Sequence, residues 1–255
     1  MGRLVKILGI DTASDQVSVA VGNDTHIEAA FHLESSRRHV ETLVPAIQLL
    51  LQNLGITIHD LSAIAVDLGP GLFTGMRVGI ATAQCLATIS DLPIIGVDSL
   101  HVVAHGVSRL ATEELNRVEV VVPVLDARRN QVYWSMFRAE SSLNALVPVR
   151  EPRVGDIEEL IEDLLDRGQE ALLVGTGAVK YAEQLSSVAQ ASLVGVRTGI
   201  TQFTHNPHVP HASSLVALAC ERMATGRNLG AMSQGNFPTP IYLRAPDAEI
   251  NWATR

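Results

Sequence analysis

The chain has 255 residues and a formal net charge of -8, with 18% charged and 4% aromatic residues. This acidic balance excludes a protein that grips nucleic acid over its whole surface, although it leaves room for a local basic patch. No run of about 18 apolar residues occurs and the N-terminal apolar stretch is too short for a signal peptide, so we predict a cytoplasmic protein without a membrane span. The two cysteines, Cys85 and Cys220, are predicted to be buried apolar thiols.

The chain begins with what we predict to be three strands and a helix. The apolar run 4–10 ends at Asp11, and residues 16–21 alternate so that the valines face inward while Ser18 and Ala20 face outward. A turn at 22–24 then leads into a third strand. This third strand is predicted at 26–33, and an amphipathic helix is predicted to follow it at 37–53.

The segment VDLGPGLFTGMRVG follows a buried strand at 64–66. Gly69 and Gly71 break that strand, and Thr74 is predicted to be the N-cap of a helix over 75–90. Such a turn suits an anion, because free backbone N–H groups converge at a helix N-terminus. The order of its residues excludes both a P-loop and a G-x-G-x-x-G loop.

The helix over 75–90 is apolar on more than one face, so it is either sandwiched inside its domain or part of a subunit interface. Arg77, one turn into it, either holds a carboxylate across a cleft or ties down the glycine turn, and we favour the second role. A short strand at 93–97 and a helix over 100–110 complete this half.

The second half repeats the first. An apolar strand over 120–125 ends at Asp126, and superposing Asp126 on Asp11 brings Gln131 onto Gln16, so both halves carry D-x4-Q-V. The period of about 115 residues is too long for a solenoid. The later elements follow in the same order: strands at 131–137 and 146–150, a helix over 156–167, a strand at 172–174 and the turn Gly175-Thr176-Gly177.

We therefore predict an α/β protein of two duplicated β-β-β-α-β-α halves, at 1–106 and 107–244, with the helix near 211–225 able to pack back on the first half. The tail at 245–255 is predicted to be loosely held. Each hairpin tip carries an aspartate, and Asp11 and Asp126 either orient a metal-bound water or phosphate, or accept hydrogen bonds from turn N–H groups.

This arrangement resembles the actin, Hsp70 and sugar-kinase superfamily, whose core is ribonuclease H-like. The resemblance implies that the two hairpin tips line an interdomain cleft and approach nucleotide phosphates, with the Gly175-Thr176-Gly177 turn near the adenosine. The residues implied in that nucleotide cleft are Asp11, Thr12, Asp126, Arg128, Gly175 and Gly177. The arginines at 128 and 129 otherwise meet an acidic partner or are simply solvated.

A narrower resemblance covers nearly the whole chain to Arg244. The motifs that carry it are Ile10-Asp11-Thr12, Arg38-His39 with Pro45 on the first helix, GPGxFTGxRVG from Gly69, Asp126-Ala127-Arg128 and Tyr242-Leu243-Arg244. They look like those of TsaB, the bacterial non-catalytic partner of TsaD in making threonylcarbamoyladenosine on tRNA. One position departs from the family, because residue 72 is Leu where a small Ser is usual.

The resemblance also implies what is missing. TsaD-type catalysts hold a metal with H-x3-H on the first domain's helix, whereas here His39 is followed four residues later by Leu43. We therefore predict no catalytic residue and no metal site of that kind. His101 and His105 lie on one helix face at the spacing of two metal ligands, without an evident third ligand. The histidines at 205, 208 and 211 alternate with prolines and are interpreted as a surface loop.

The resemblance to TsaB implies a scaffold subunit that activates a TsaD-like enzyme for threonylcarbamoyl transfer to N6 of the adenosine beside the anticodon, in tRNAs reading codons that begin with A. The implied partners are that TsaD-like subunit, a TsaE-like ATPase through the complex, tRNA only via the complex, and a second copy when alone. At most weak ATP or ADP binding is implied. The residues implied in pairing lie on the two helices of the first half: His39, Leu43, Val78, Thr82, Ala83 and Leu86.

Two alternatives remain from the sequence. One is an active ATP-dependent kinase or transferase of the same superfold, which needs a catalytic base and phosphate-contacting glycines in both halves. The other is a metal hydrolase that uses His101 and His105. ATP turnover and metal content of the purified chain separate these alternatives from the scaffold interpretation.

Overall fold

The computed structural model of the protein describes residues 5–34, 38–108, 118–140, 145–188, 191–193, 206–225 and 237–244. The chain divides into two compact units. The first contains the described residues of Met1–Val102 and Pro210–Ile241, and the second those of Val103–Val209 and Tyr242–Arg255. The last helix therefore belongs to the first unit, although it follows the second unit in sequence.

The elements of the first unit are β1 (Ile7–Asp11), β2 (Gln16–Gly22), β3 (Ile27–Glu34), α1 (His39–Leu54), a 3-10 turn (Ile58–Asp60), β4 (Ala63–Asp67), α2 (Phe73–Ser90), β5 (Ile94–Val97), the start of α3 (Ser99–Ser108) and α7 (Ala212–Thr225). Their sheet has the order β3-β2-β1-β4-β5. β2 pairs antiparallel with β1 and β3, while β1, β4 and β5 run parallel.

Both faces of this sheet are covered. α1 and α2 pack on one face through a core that includes Leu43, Ile47 and Ile80. α7 packs on the other face, so closely that a Cβ on Gly9 would stand 2.8 Å from the carbonyl oxygen of Ala212.

The prediction that Ser18 and Ala20 face outward was wrong, because both are 0% exposed beneath α7. Ser18 Oγ accepts a 2.9 Å hydrogen bond from the backbone N–H of Ala212, at the first residue of that helix. The hydroxyl therefore satisfies one of the N–H groups that a helix start leaves unpaired. A strand covered on both faces needs no polar alternation, and Ser18 is the one polar side chain within the apolar run 17–21.

The second unit repeats the topology. Its elements are β6 (Val120–Arg128), β7 (Gln131–Glu140), β8 (Ala145–Asp156), α4 (Ile157–Arg167), β9 (Ala171–Val174), α5 (Thr176–Lys180), α6 (Ala182–Leu185) and β10 (Ala191–Leu193). The sheet order β10-β9-β6-β7-β8 is the first sheet's order written from the other edge. The fold is thus the predicted duplicated, actin-like α/β arrangement.

An internal ion pair anchors α4 to the second sheet. Asp163, on α4, accepts hydrogen bonds from Trp134 Nε1 at 3.1 Å and Arg150 Nε at 2.8 Å. The helix starts at a capping box formed by Asp156 and Glu159, which satisfies its first N–H groups.

Candidate functional site

The first hairpin tip is closed by its own unit. Asp11 and Thr12 are 0% and 2% exposed. Asp11 Oδ1 accepts a 2.9 Å hydrogen bond from Ala13 N, and Thr12 Oγ1 donates to Gly75 O at 2.8 Å. The backbone N–H of Leu72 donates to Ala13 O at 2.7 Å. The carboxylate therefore caps the turn, as one of the two predicted roles requires.

The glycines of the motif allow α2 to approach that tip. A Cβ on Gly71 would collide with the carbonyl oxygen of Ala13, and a Cβ on Gly75 with that of Thr12. Protein carbonyls occupy the space in front of these glycines. This packing explains the glycine spacing without any bound anion.

The prediction that Thr74 is the N-cap of α2 was wrong. The helix begins at Phe73, Leu72 is its N-cap without a side-chain hydrogen bond, and Thr74 is exposed in the first turn. The hydrogen bond from Leu72 to the hairpin fixes where the helix starts, so no capping side chain is required. Arg77 is exposed and its guanidinium lies 3.9 Å from the centre of the Phe73 ring.

The glycine turn itself is held by a buried aspartate. Asp67 Oδ1 accepts hydrogen bonds from Gly69 N at 2.7 Å and Ser99 Oγ at 2.6 Å. Ser99 N donates to Gly69 O at 2.8 Å. Asp67 and Ser99 were not among the predicted site residues. Asp67 nevertheless ends an apolar strand as Asp11 does, which was a usable signal.

Asp11 and Asp67 form a buried pair of carboxyl groups. They follow the paired residues Ile10 and Val66 on parallel neighbouring strands, and Asp67 is only 2% exposed. Burial raises the pKa of Asp11 to about 7, and burial together with the charge of Asp11 raises the pKa of Asp67 well above its ordinary value. Within the described part of the chain, the second oxygen of each carboxyl group accepts no hydrogen bond. The pair therefore favours a proton over two charges.

The second tip is partly exposed, and its carboxylate is ion-paired. Asp126 Oδ1 accepts a 2.9 Å hydrogen bond from Arg128 N, which repeats the turn of Asp11. Lys180 Nζ lies 3.0 Å from both carboxylate oxygens, and this contact raises the pKa of Lys180. Asp126 N donates to Thr176 Oγ1 at 3.1 Å. The lysine therefore offsets the charge of this carboxylate.

Gly175 and Gly177 let α5 lie against β6. Gly175 has φ +115°, and a Cβ on Gly177 would stand 2.9 Å from Val124 Cγ1. Gly175 N donates to His208 Nδ1 at 3.1 Å, and burial lowers the pKa of His208. The predicted position of this turn near an adenosine stays a prediction.

Three of the predicted pairing residues are buried inside the first unit. Leu43 and Ala83 are 0% exposed, in the core beneath α1 and α2. His39 is 5% exposed and its Nε2 lies 2.8 Å from Ser14 O. These three side chains stabilise the unit and do not form an accessible surface. Val78, Thr82 and Leu86 are half-buried.

The outward sides of the same helices carry other apolar residues. On α1, Val40 and Val44 are 72% and 47% exposed, and on α2, Ile89 is 68% exposed. Cys85, also on α2, is exposed, so the prediction of two buried thiols was wrong for it. Cys220 is buried, which raises the pKa of its thiol to about 11. We call Val40 and Val44, in the first two turns of α1, together with Cys85 and Ile89, near the end of α2, the outer α1–α2 face.

The histidines form no metal centre that the described residues reveal. Across those residues, no group of three or more His, Cys, Asp or Glu side chains is arranged to hold a metal. His211 packs its ring against that of His32 at 4.3 Å between centroids, and His205 lies outside the described residues. In the same part of the chain, no helix has the length and apolar character that a membrane crossing needs.

The geometry thus describes an actin-like protein whose two hairpin carboxylates are engaged by its own groups. A family model described as "TsaD: tRNA N6-adenosine threonylcarbamoyltransferase" matches residues 33–252. The Escherichia coli (strain K12) "tRNA threonylcarbamoyladenosine biosynthesis protein TsaB" is 30% identical over 241 residues, covering 94% of this chain and 95% of that protein. TsaB of Haemophilus influenzae is 31% identical over 255 residues, covering 96% and 95%.

Solved structures show the same fold. A Pseudomonas aeruginosa protein described as similar to peptidase YeaZ superposes with a TM-score of 0.74 at 25% identity, covering 94% of this chain and 100% of that one. YeaZ from the same organism gives 0.71 at 24% identity, with the same coverage. The chain belongs to the TsaB family.

Proposed function

We propose that the protein is a non-catalytic subunit that binds a TsaD-like enzyme in tRNA threonylcarbamoyladenosine biosynthesis. Its role in that biosynthesis follows from TsaB relatives that match nearly the full chain. The observation that carries the non-catalytic part is that groups of the chain itself engage both hairpin carboxylates. Asp11 is wholly buried beneath α2, and Asp126 is held by Lys180.

The burial of Asp11 argues against the alternative of an active kinase. A phosphoryl-transfer enzyme needs groups that reach a bound metal and phosphates. Asp11 cannot reach either unless α2 moves, because Gly75 lies against the backbone of Thr12. Weak binding of ATP or ADP remains a prediction, as do the TsaE-like partner and the cytoplasmic location.

The outer α1–α2 face supports the partner-binding part of the proposal. Val40 and Val44 lie one helical turn apart, and Ile89 is exposed on the adjacent helix. Adjacent exposed apolar side chains such as Val40 and Val44 are ones that the core of a protein interface would bury. The surface fits a TsaD-like subunit, and a second copy of this chain in its absence.

Reconstitution tests the function. The chain and the TsaD-like protein of the same organism are incubated, alone and together, with unmodified tRNA, ATP and the threonylcarbamoyl donor, and modified adenosine is measured. We expect modification to depend on both proteins. Modification by the isolated chain would show that it is itself the enzyme.

The two cysteines provide a footprint of the proposed interface. Cys85 lies on the outer α1–α2 face, while Cys220 is buried with a raised pKa and serves as the internal control. We expect the TsaD-like protein to slow alkylation of Cys85 at least about tenfold, because the interface excludes the reagent. Equal alkylation rates with and without the partner would place the interface elsewhere.

A pair of matched substitutions tests the same face energetically. Val44→Glu introduces a charge at a side chain that is 47% exposed, and Val179→Glu does so at one that is 50% exposed in the second unit. Val44→Glu should weaken association by about 2 kcal/mol or more, since a carboxylate buried at an interface is left unpaired. The control should leave association unchanged. Equal effects, measured by calorimetry, would contradict the assignment.

A further inference from the structure

The tip of the β6–β7 hairpin collects positive charge in an acidic protein. Arg128 and Arg129 are exposed at the turn. Lys180 Nζ lies 3.0 Å from both oxygens of Asp126, and the Arg244 guanidinium donates a hydrogen bond to Ala127 O. Four cationic side chains thus lie at or beside this turn, and one of them, Lys180, is paired with Asp126. We call Arg128, Arg129, Lys180 and Arg244 the basic tip.

The backbone of the turn makes the two arginines informative. Arg128, Arg129 and Asn130 have φ angles of 62°, 50° and 61°. L-residues other than glycine and asparagine rarely adopt this left-handed region, and two-residue hairpin turns favour Asn-Gly. Glycine would suit positions 128 and 129 better than arginine. The conformation of the turn therefore does not account for arginine at positions 128 and 129, which points to a binding role for the two side chains.

The chemistry of the tip suits a phosphate backbone. Guanidinium groups bind phosphate oxygens in a bidentate manner, and adjacent arginines on a hairpin present two such groups together. The chain as a whole carries a net charge of -8 and repels a polyanion. A local basic site would therefore also determine which side of the protein a bound polyanion approaches. The pathway acts on tRNA, which supplies that polyanion.

We propose that the basic tip binds the tRNA phosphate backbone while the tRNA is being modified. The contact positions the RNA and is independent of its sequence. This inference rests on the proposed function, because the tRNA is brought to the chain by the complex with the TsaD-like enzyme. An acidic protein segment is the competing occupant.

The test uses the complex of the full chain with the TsaD-like protein and unmodified tRNA. The double substitution Arg128→Gly and Arg129→Gly removes two charges and fits the left-handed turn, so the melting temperature should be unchanged or higher. Arg138→Ser is the control, since Arg138 is an exposed arginine nearer the other end of β7. Binding is measured by anisotropy of labelled tRNA at several salt concentrations.

Counterion release sets the expected result. Loss of two phosphate contacts should reduce the slope of log K against log salt by about two and weaken binding roughly 30-fold at about 0.15 M salt. The control should keep the wild-type slope. An unchanged slope in the double variant would overturn the inference.

Assembly of the complex is measured in the same samples. If the wild-type chain fails to assemble with the TsaD-like protein, the proposed function fails and this inference with it. If the wild-type complex assembles and the double variant does not, the tip binds protein and the RNA assignment is wrong. Assembly of both with an unaltered RNA slope refutes this inference alone.

Discussion

Asp67→Asn tests whether the buried carboxyl pair holds a proton. The amide keeps an oxygen that can accept the hydrogen bonds from Gly69 N and Ser99 Oγ, which are 2.7 and 2.6 Å long in the native protein. It removes one ionisable group beside Asp11. A buried carboxylate is usually expected to stabilise its fold through such hydrogen bonds. Here we expect the substitution to become stabilising as the pH rises.

The sign follows from the raised pKa of Asp67. The folded protein retains a proton on Asp67 that the unfolded chain releases above its ordinary value of 3.8. The contribution of this group to stability is therefore fully present below about pH 4 and is lost as the pH rises, by about 1.4 kcal/mol per pH unit while Asp67 stays protonated only in the folded state. The contribution of Asp67 to stability is therefore smaller at about pH 7 than at about pH 5, and asparagine at this position adds no such dependence.

The assay is urea denaturation of both proteins at about pH 5 and about pH 7, with amide exchange of β1 and β4 as a local readout. The free energy of unfolding of the variant, relative to wild type, should rise by up to about 3 kcal/mol between these values. Asp15→Asn is the control, because Asp15 is exposed on the same hairpin. A difference that stays constant with pH would refute the proton-sharing pair.

Two further substitutions test packing. Gly75→Ala should destabilise the first unit by about 1–3 kcal/mol, because the added Cβ meets the carbonyl oxygen of Thr12. This cost should outweigh the better helix propensity of alanine. A neutral result in urea denaturation would mean that α2 can shift. Asp163→Ala should destabilise the second unit by about 3–5 kcal/mol, because the substitution leaves Arg150 and the buried Trp134 N–H without their shared acceptor. A loss of stability under about 1 kcal/mol in thermal unfolding would show that water replaces the carboxylate.

Much of the architecture was predictable because the two halves of the sequence repeat the same motif and the same order of elements. The D-x4-Q-V repeat aligned Asp11 with Asp126, and each carboxylate accepts a 2.9 Å hydrogen bond from the N–H group two residues later. Strand and helix order also followed, since apolar runs and glycine stops are local signals. Local periodicity does not depend on what later covers an element.

The sequence-based predictions failed where a segment distant in sequence buries or pairs with the residue concerned. Nothing within 16–22 shows that α7 will bury Ser18. The inward side of α2 was ambiguous because small apolar residues surround the helix, so Ala83 was assigned to the surface although it is 0% exposed. Lys180 lies 54 residues from Asp126, and no spacing rule connects them.

The position of α7 affects how the protein is made. The sheet that it covers is translated by Val102, whereas the covering segment starts at Pro210, so 210 − 102 = 108 further residues must leave the ribosome first. At about 5–20 residues per second this takes roughly 5–20 seconds. Throughout that interval the face of the nascent sheet that carries Ile7, Ala63 and Ile95 is an uncovered apolar surface. Biogenesis of this chain thus includes a vulnerable stage in which a chaperone has a defined surface to protect.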